Sequence, residues 1–146
     1  MTPSELQTYL HTHIPLSKAM QVEVVQATPD IIELAAPLAP NINHRGTAFG
    51  GSISTLATLA CWSLLRVRTD GLQPAPHLVV RRNNVEYIAP AQGEIRAIVR
   101  FPTETDWAGF LAAYAGKGRA RVKLDAEVLA GDTIAAHFHG EFVAMR

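Results

Sequence analysis

Cysteine is almost absent from this sequence, since Cys61 is the only one among its 146 residues. A lone cysteine cannot form an internal disulfide, which excludes the disulfide-stapled domains typical of small secreted proteins. The first residues also lack the basic and apolar segments of a secretion signal, and Thr2, Pro3 and Glu5 instead match the start of a capped helix. Together these features predict a cytoplasmic location.

Net charge is absent as well, because 13 basic residues balance 13 acidic ones. The protein as a whole therefore has no electrostatic attraction to nucleic acid or to an anionic membrane surface. Its longest apolar stretch, residues 48–65, opens with two glycines and is interrupted by Ser and Thr, whereas a membrane span needs about 20 mostly apolar residues. We expect neither a nucleic-acid partner nor a membrane, and interpret this stretch as part of a helix buried inside the protein.

Acidic residues are missing from the middle of the chain, where none occurs between Glu33 and Asp70. The longest helix that the sequence predicts, over residues 50–68, lies entirely within this gap and ends before Gly71, a typical C-terminal stop signal. This helix therefore offers no carboxylate that could act as a general base or a nucleophile.

Apolar residues are abundant, at 48% of the chain, which predicts one domain over residues 1–146 with a substantial core. Two late segments, 93–101 and 119–129, alternate between apolar and charged side chains, as strands with one wet face and one buried face do. Everything after the central helix is interpreted as strand. The predicted elements are a helix at 3–12, strands at 20–27 and 31–36, the helix at 50–68, and strands at 78–88, 93–101, 119–129 and 133–145.

The apolar face of these strands needs a cover, and the long apolar helix is the only element able to provide it. The sequence therefore predicts an α+β fold in which an antiparallel sheet wraps around one long central helix.

The loop from Asn43 to Gly51 carries the clearest chemical signal, because it runs directly into the start of the buried helix. The first amides of a helix have no partner within it and carry partial positive charge, and the two glycines allow a ligand to approach them. Such amides can polarise a carbonyl group and stabilise the oxyanion that forms when it is attacked. Gly50 and Gly51 are the candidates for this role, and the Asn43 amide could hold the carbonyl or a water molecule. The alternative is a tight turn shaped by glycine and asparagine.

This loop resembles that of the hotdog-fold thioesterases, especially the phenylacetyl-CoA type, which reads Asn-x-x-Gly-Thr-x-His-Gly-Gly. The Phe-Gly-Gly-Ser sequence and the later Cys-Trp pair are more similar to a thioesterase family found alone or fused behind a GNAT acetyltransferase domain, as are segments 118–121 and 138–143. The resemblance implies a hotdog fold, hydrolysis of an acyl-CoA or acyl-carrier thioester, and a homodimer or a dimer of dimers. The matching loop residues are Asn43, Gly46, Thr47, Gly50 and Gly51.

Two positions depart from the phenylacetyl-CoA type. Phe49 replaces the histidine of the loop, and Thr58 replaces the Asp or Glu that serves as nucleophile or base on the central helix. Thr58 could position a water molecule, although its hydroxyl could equally bond back to its own helix. His44 in the loop and Glu86 on the following strand are then the candidate bases.

Phosphate groups of coenzyme A would need cations, which the late strands supply. The alternative is that these charges merely solvate the sheet and protect its edge. His137 and His139 are too few ligands for a metal site, so we expect no metal and no cofactor, and Cys61 is interpreted as a core residue. The candidate phosphate ligands are Arg81, Arg82, Lys117, Arg119 and Arg121.

Three functions are compatible with these observations. The first is a thioesterase that polarises the carbonyl with helix amides. The second is a non-catalytic domain that binds acyl-CoA or another acyl ligand, suggested by the missing helix carboxylate. The third is a hotdog dehydratase, which the absence of that acid disfavours.

Overall fold

The computed structural model describes all 146 residues. The first helix begins with the predicted capping box, in which the Glu5 amide donates to the Thr2 hydroxyl (3.1 Å) and the Thr2 amide donates to the Glu5 carboxylate (2.8 Å). The helices are α1 (Pro3–His13), α2 (Pro15–Ala19), α3 (Gly50–Arg68) and α4 (Trp107–Lys117), with a single 3-10 turn at Ala39–Asn41. The strands are β1 (Glu23–Ala27), β2 (Ile31–Ala36), β3 (His77–Tyr87), β4 (Ile95–Arg100), β5 (Arg119–Ala130) and β6 (Thr133–Met145).

All six strands form one antiparallel sheet in the order β1-β2-β4-β5-β6-β3. β1 and β3 are therefore the two edge strands. The alternation along β5 is strict, so that Val122, Leu124 and Ala126 are buried while the charged residues between them are exposed. The sheet thus has one apolar face and one charged face, as its sequence predicts.

Helix α3 crosses the apolar face and packs against β2, β3, β4, β5 and β6. Leu56, Ala60 and Leu64 are completely buried between the helix and the sheet, where Phe138 and Phe142 meet them in the core. This arrangement confirms the predicted α+β architecture of an antiparallel sheet wrapped around one long helix. None of the helices combines the length and the apolar character needed to cross a membrane.

Helix α4 contradicts the interpretation of everything after the central helix as strand. Asp106 caps it by accepting a hydrogen bond from the Gly109 amide (2.9 Å), and Gly118 ends it in the left-handed conformation with φ 70°. Asp and Gly are residue types that commonly begin and end a helix, so both ends of α4 are marked in the sequence. The sequence pattern does not reveal this helix because half of its apolar residues are alanine and its buried stripe is short, formed by Phe110 and Tyr114.

Strand β3 contains a bulge that fixes which of its side chains face α3. Its pairing with β6 slips between Val80 and Arg82, so that Arg81 is an extra residue. Both arginines consequently lie on the charged face, where each approaches Glu141 at 3.5 Å. The residues of β3 whose β6 partners belong to the apolar face are Leu78, Val80, Asn83, Val85 and Tyr87.

Candidate active site

The start of α3 presents two backbone amides that have no acceptor. The Ser52 and Ile53 amides both donate to the Phe49 carbonyl, at 2.9 and 3.1 Å, and Phe49 provides no side-chain cap. The Gly50 and Gly51 amides make no hydrogen bond with any backbone or side-chain group. They are therefore free to donate to a ligand oxygen at the positive end of the helix dipole.

Asn43 holds the preceding loop together rather than projecting from it. Its side-chain oxygen accepts from the Arg45 and Thr47 amides, at 2.8 and 3.1 Å. Its side-chain nitrogen donates to the Thr47 hydroxyl (2.8 Å) and the Ala48 carbonyl (3.4 Å). Because both donors of the amide group are in use, Asn43 can affect a ligand by fixing the position of the helix start, and direct contact would require one of these bonds to break.

The loop is also anchored from within by Asn41, which the sequence did not single out. Its side chain is buried and donates to the Met20 and Pro37 carbonyls, at 3.0 and 2.8 Å. Its own carbonyl accepts from the Phe49 amide at 2.7 Å, which positions the residue that precedes the helix. The sequence does not separate Asn41 from Asn43, because the burial and the distant partners of Asn41 are not readable from a loop sequence.

Two exposed aromatic rings flank the helix start. Tyr87 donates from its hydroxyl to the Gly50 carbonyl at 3.1 Å, and its ring would be 3.4 Å from a Cβ at Gly50. The Phe49 ring lies so close to Gly51 that a Cβ there would collide with it. The two glycines thus serve packing as well as access, because they leave room for aromatic rings on both sides of the free amides.

A groove of about 560 Å³ runs between α3 and β3. Thr58 lines it, and its hydroxyl donates to the Ser54 carbonyl at 2.8 Å, the bond back to its own helix that the sequence left open as an alternative. A larger surface depression of about 900 Å³ lies away from α3, beside the turn between β5 and β6. The groove is lined by Ile14, Ser54, Thr55, Thr58, Leu59, Trp62, Leu78, Val79, Val80 and Asn83.

Over residues 3–146 the sequence matches the family described as "Putative thioesterase (yiiD_Cterm)". This chain belongs to that thioesterase family. Its fold is the hotdog fold that the loop motif implied.

Solved structures support the assignment to this thioesterase family. A protein of unknown function from Chlorobaculum tepidum is 34% identical with a TM-score of 0.90, and the match covers 99% of this chain and 97% of that one. A Shewanella oneidensis protein described as a putative thioesterase is 29% identical with a TM-score of 0.86 and the same coverage. The PaaI protein of the E. coli phenylacetic acid degradation operon is 13% identical with a TM-score of 0.72, covering 99% and 94%, and shows the shared fold alone.

The two candidate bases of this thioesterase-family chain lie in different places. His44 is exposed on the loop that leads into α3. Glu86 lies on the charged face of the sheet, opposite His137 on β6, with its carboxylate 3.7 Å from His139. His139 in turn bonds Asp125 at 2.8 Å. Within one protomer the sheet separates Glu86 from the free amides, whereas His44 belongs to the loop that leads into the helix start.

The candidate phosphate ligands also lie away from the groove. Arg81 and Arg82 converge with Arg121 on the half-buried Glu141, at 3.5, 3.5 and 3.7 Å, all on the charged face. Lys117 lies at the exposed end of α4, and Arg119 contacts the Met145 sulfur at 3.9 Å. The structure thus groups Arg81 and Arg82 with Arg121 instead of with Lys117 and Arg119. A ligand held at the helix amides would have to pass over the β3 edge to reach this cluster.

Cys61 is completely buried in α3. Burial raises the pKa of its thiol far above the ordinary value, and the charge of Asp125 raises it further. The reactive thiolate is therefore not accessible, in agreement with the interpretation of Cys61 as a core residue.

Proposed function

We propose that this protein hydrolyses acyl thioesters of coenzyme A or of an acyl carrier. The observation that carries the proposal is the pair of unpaired amides at Gly50 and Gly51, which begin the helix that lines an uncharged groove, in a chain of the thioesterase family. A thioester carbonyl that accepts from these amides becomes more electrophilic. The negative charge that develops on its oxygen during attack is stabilised by the same two donors.

The reaction adds water to the carbonyl carbon and breaks the carbon–sulfur bond, giving a carboxylic acid and a free thiol. Thr58 uses its hydroxyl proton within the helix, so its oxygen can still accept a hydrogen bond from the attacking water and orient it. His44 is the favoured acceptor of the water proton, since it shares the loop that presents the amides. Glu86 is disfavoured because a sheet extended through β3 would keep it on the charged face.

We further propose that the working unit is a homodimer formed through the β3 edge, or a dimer of two such dimers. β3 is an edge strand of 11 residues whose outer side pairs with nothing in the protomer. Val79, Val80 and Ile88 are exposed along or just after it, and a second copy pairing there would cover them and close the groove beside α3.

A non-catalytic acyl-ligand-binding domain is the second candidate, and one specific observation favours it. No carboxylate lies on α3 or in the groove, so the usual helix base is missing. The two functions differ in one measurable outcome, because a binding domain would hold an acyl-CoA without releasing thiol.

The test is release of free thiol from a panel of acyl-CoA substrates, compared between the wild type and Asn43→Ala. We expect turnover in the wild type and a loss of about ten-fold or more in kcat/KM in the variant, because the loop that positions the amides loses four hydrogen bonds. Arg45→Ala, which leaves those side-chain bonds of Asn43 in place, is the matched control and should keep its activity. Binding of acyl-CoA without turnover in the wild type would establish the second candidate instead.

A further inference from the structure

The side chains that α3 contributes to the groove form one continuous stripe. Ser54, Thr55, Thr58, Leu59 and Trp62 follow the helical spacing of one face. Gly51 precedes Ser54 by three residues and Thr55 by four, so it lies on the same face, one turn closer to the helix start. The groove therefore leads along the helix from one of the two free amides.

Among the α3 residues that line this groove, Trp62 is the farthest from the helix start. Its indole Nε1 donates to the Leu78 carbonyl at 2.9 Å, so the ring crosses from α3 to the beginning of β3. The Tyr9 ring stacks behind it, with centroids 6.0 Å apart and planes 20° apart, and the Arg66 guanidinium covers Tyr9 at 5.0 Å. The Trp62 ring is thus tied to the strand on one side and supported by a second aromatic ring on the other.

The lining of the groove excludes a charged occupant. None of its ten residues is ionisable, and burying an unpaired charge beside them would be strongly unfavourable. Its polar groups belong to Ser54, Thr55, Thr58 and Asn83, while Leu59, Trp62 and Leu78 make the rest apolar. An uncharged hydrocarbon chain fits this chemistry.

The length of the groove sets a limit on that chain. Trp62 follows Gly51 by 11 residues, a distance of about 16 Å at the helical rise of about 1.5 Å per residue. An extended alkyl chain with C–C bonds of about 1.5 Å advances roughly 1.25 Å per carbon. After the space taken by the indole itself, about ten carbons fit between the amides and the Trp62 ring, counting roughly 1.25 Å for each.

We propose that Trp62 is the specificity-determining residue of the site and restricts it to neutral acyl chains of up to about ten carbons, by the spacing of α3. This inference rests on the proposed function, because it takes the free amides as the position of the thioester. Trp62 acts as a wall that a longer chain cannot pass without breaking its bond to Leu78.

The experiment compares straight-chain acyl-CoAs from butyryl to palmitoyl, together with the matching S-alkyl-CoA thioethers, which bind but cannot be hydrolysed. In the wild type we expect palmitoyl-length thioethers to bind at least about ten-fold more weakly than octanoyl-length ones, as poorly accommodated methylenes do in apolar pockets. Trp62→Leu should abolish this difference. Val80→Phe, which narrows the groove from the strand side, should weaken decanoyl-length binding and leave butyryl-length binding unchanged.

Trp107→Leu is the matched control, because Trp107 is the other tryptophan of the chain and packs with Phe110, away from the groove. It should leave the length profile unchanged even if it lowers stability. If Trp62→Leu fails to fold, Trp62→Phe decides the question, because it keeps an aromatic ring but loses the bond to Leu78 and part of the wall, and an unchanged length limit in that variant would overturn the role of Trp62.

Measuring hydrolysis and binding separately distinguishes the proposed thioesterase activity from the proposed role of Trp62. A length limit in thioether binding without thiol release would support Trp62 as the wall and overturn the thioesterase. Hydrolysis with the same length profile in the wild type and Trp62→Leu would overturn the role of Trp62 and leave the thioesterase intact. Failure of thioethers of every length to bind would overturn the groove as the acyl site.

Discussion

At the scale of single residues, contacts rather than turns favour glycine at positions 51 and 140. Gly51 leaves room for the Phe49 ring at the helix start. Gly140 lies on the apolar face of β6 between Phe138 and Phe142, and a Cβ there would be 2.7 Å from each ring. Both rings are completely buried, so neither can move aside without disturbing the core.

Gly140→Ala should therefore destabilise the protein, by about 1–3 kcal/mol, as overpacking of a dense core does. Thermal or denaturant unfolding measures this loss. Gly93→Ala is the control, because a Cβ at Gly93 would have no neighbour within 4 Å, and its stability should stay close to that of the wild type. Equal stability of the two variants would mean that the phenylalanine rings can relax around the added methyl group.

The site residues differ in how much of their arrangement could be predicted. The free amides of Gly50 and Gly51 followed from the general geometry of a helix start, and the exposed position of His44 agrees with its place in a polar loop. The bonds of Asn43 within the loop could not be predicted, because asparagine in such a loop either shapes the turn or projects from it, and the sequence is the same in both cases. For Gly50, Gly51, His44, Asn43, Thr58, Glu86 and the basic residues alike, a role in catalysis or phosphate binding stays a prediction.

At the scale of elements, the long helix and the sheet were predictable because each repeats a simple period over many residues. α3 was predicted over its observed range, and β5 alternates along nearly its full length. α4 was missed, and the bulge at Arg81 could not be predicted because only pairing with β6 reveals it. Unless the position of the bulge is known, the sequence does not determine on which face of the sheet Asn83 and Glu86 lie, because a slip of one residue exchanges the two faces.

The capping residue of α4 provides a test at this scale. Asp106→Ala should destabilise the protein by about 1 kcal/mol, because the Gly109 amide loses its acceptor and the helix start loses a negative charge. Glu104→Ala removes the same charge from an exposed neighbouring position that caps nothing, and unfolding curves of the two variants can be compared directly. If both variants lose the same stability, the cap at Asp106 contributes nothing specific.

At the scale of the whole molecule, the two edges of the sheet are not equivalent. β1 is short, with five residues, and its pairing with β2 is interrupted by a bulge, both of which discourage further strand pairing. β3 has 11 residues and borders the groove beside α3. A second protomer is therefore expected at β3 and not at β1.

Light scattering should give twice the mass of one chain for the wild type, or four times for a dimer of dimers. Val79→Lys places like charges from two protomers together at the β3 edge and should shift the protein towards monomer, increasingly so at low salt. Val25→Lys makes the same change on the exposed part of β1 and should leave the mass unaltered. A monomeric wild type, or equal masses for both variants, would contradict assembly through β3.

The bulge in β3 also bears on how this strand can change in length. Since Arg81 is the one residue without a counterpart on β6, a deletion at that point would give a regular ladder in which every later side chain keeps its side of the sheet. The strand thus holds one dispensable position, and relatives with a β3 shorter by one residue could retain the same groove lining.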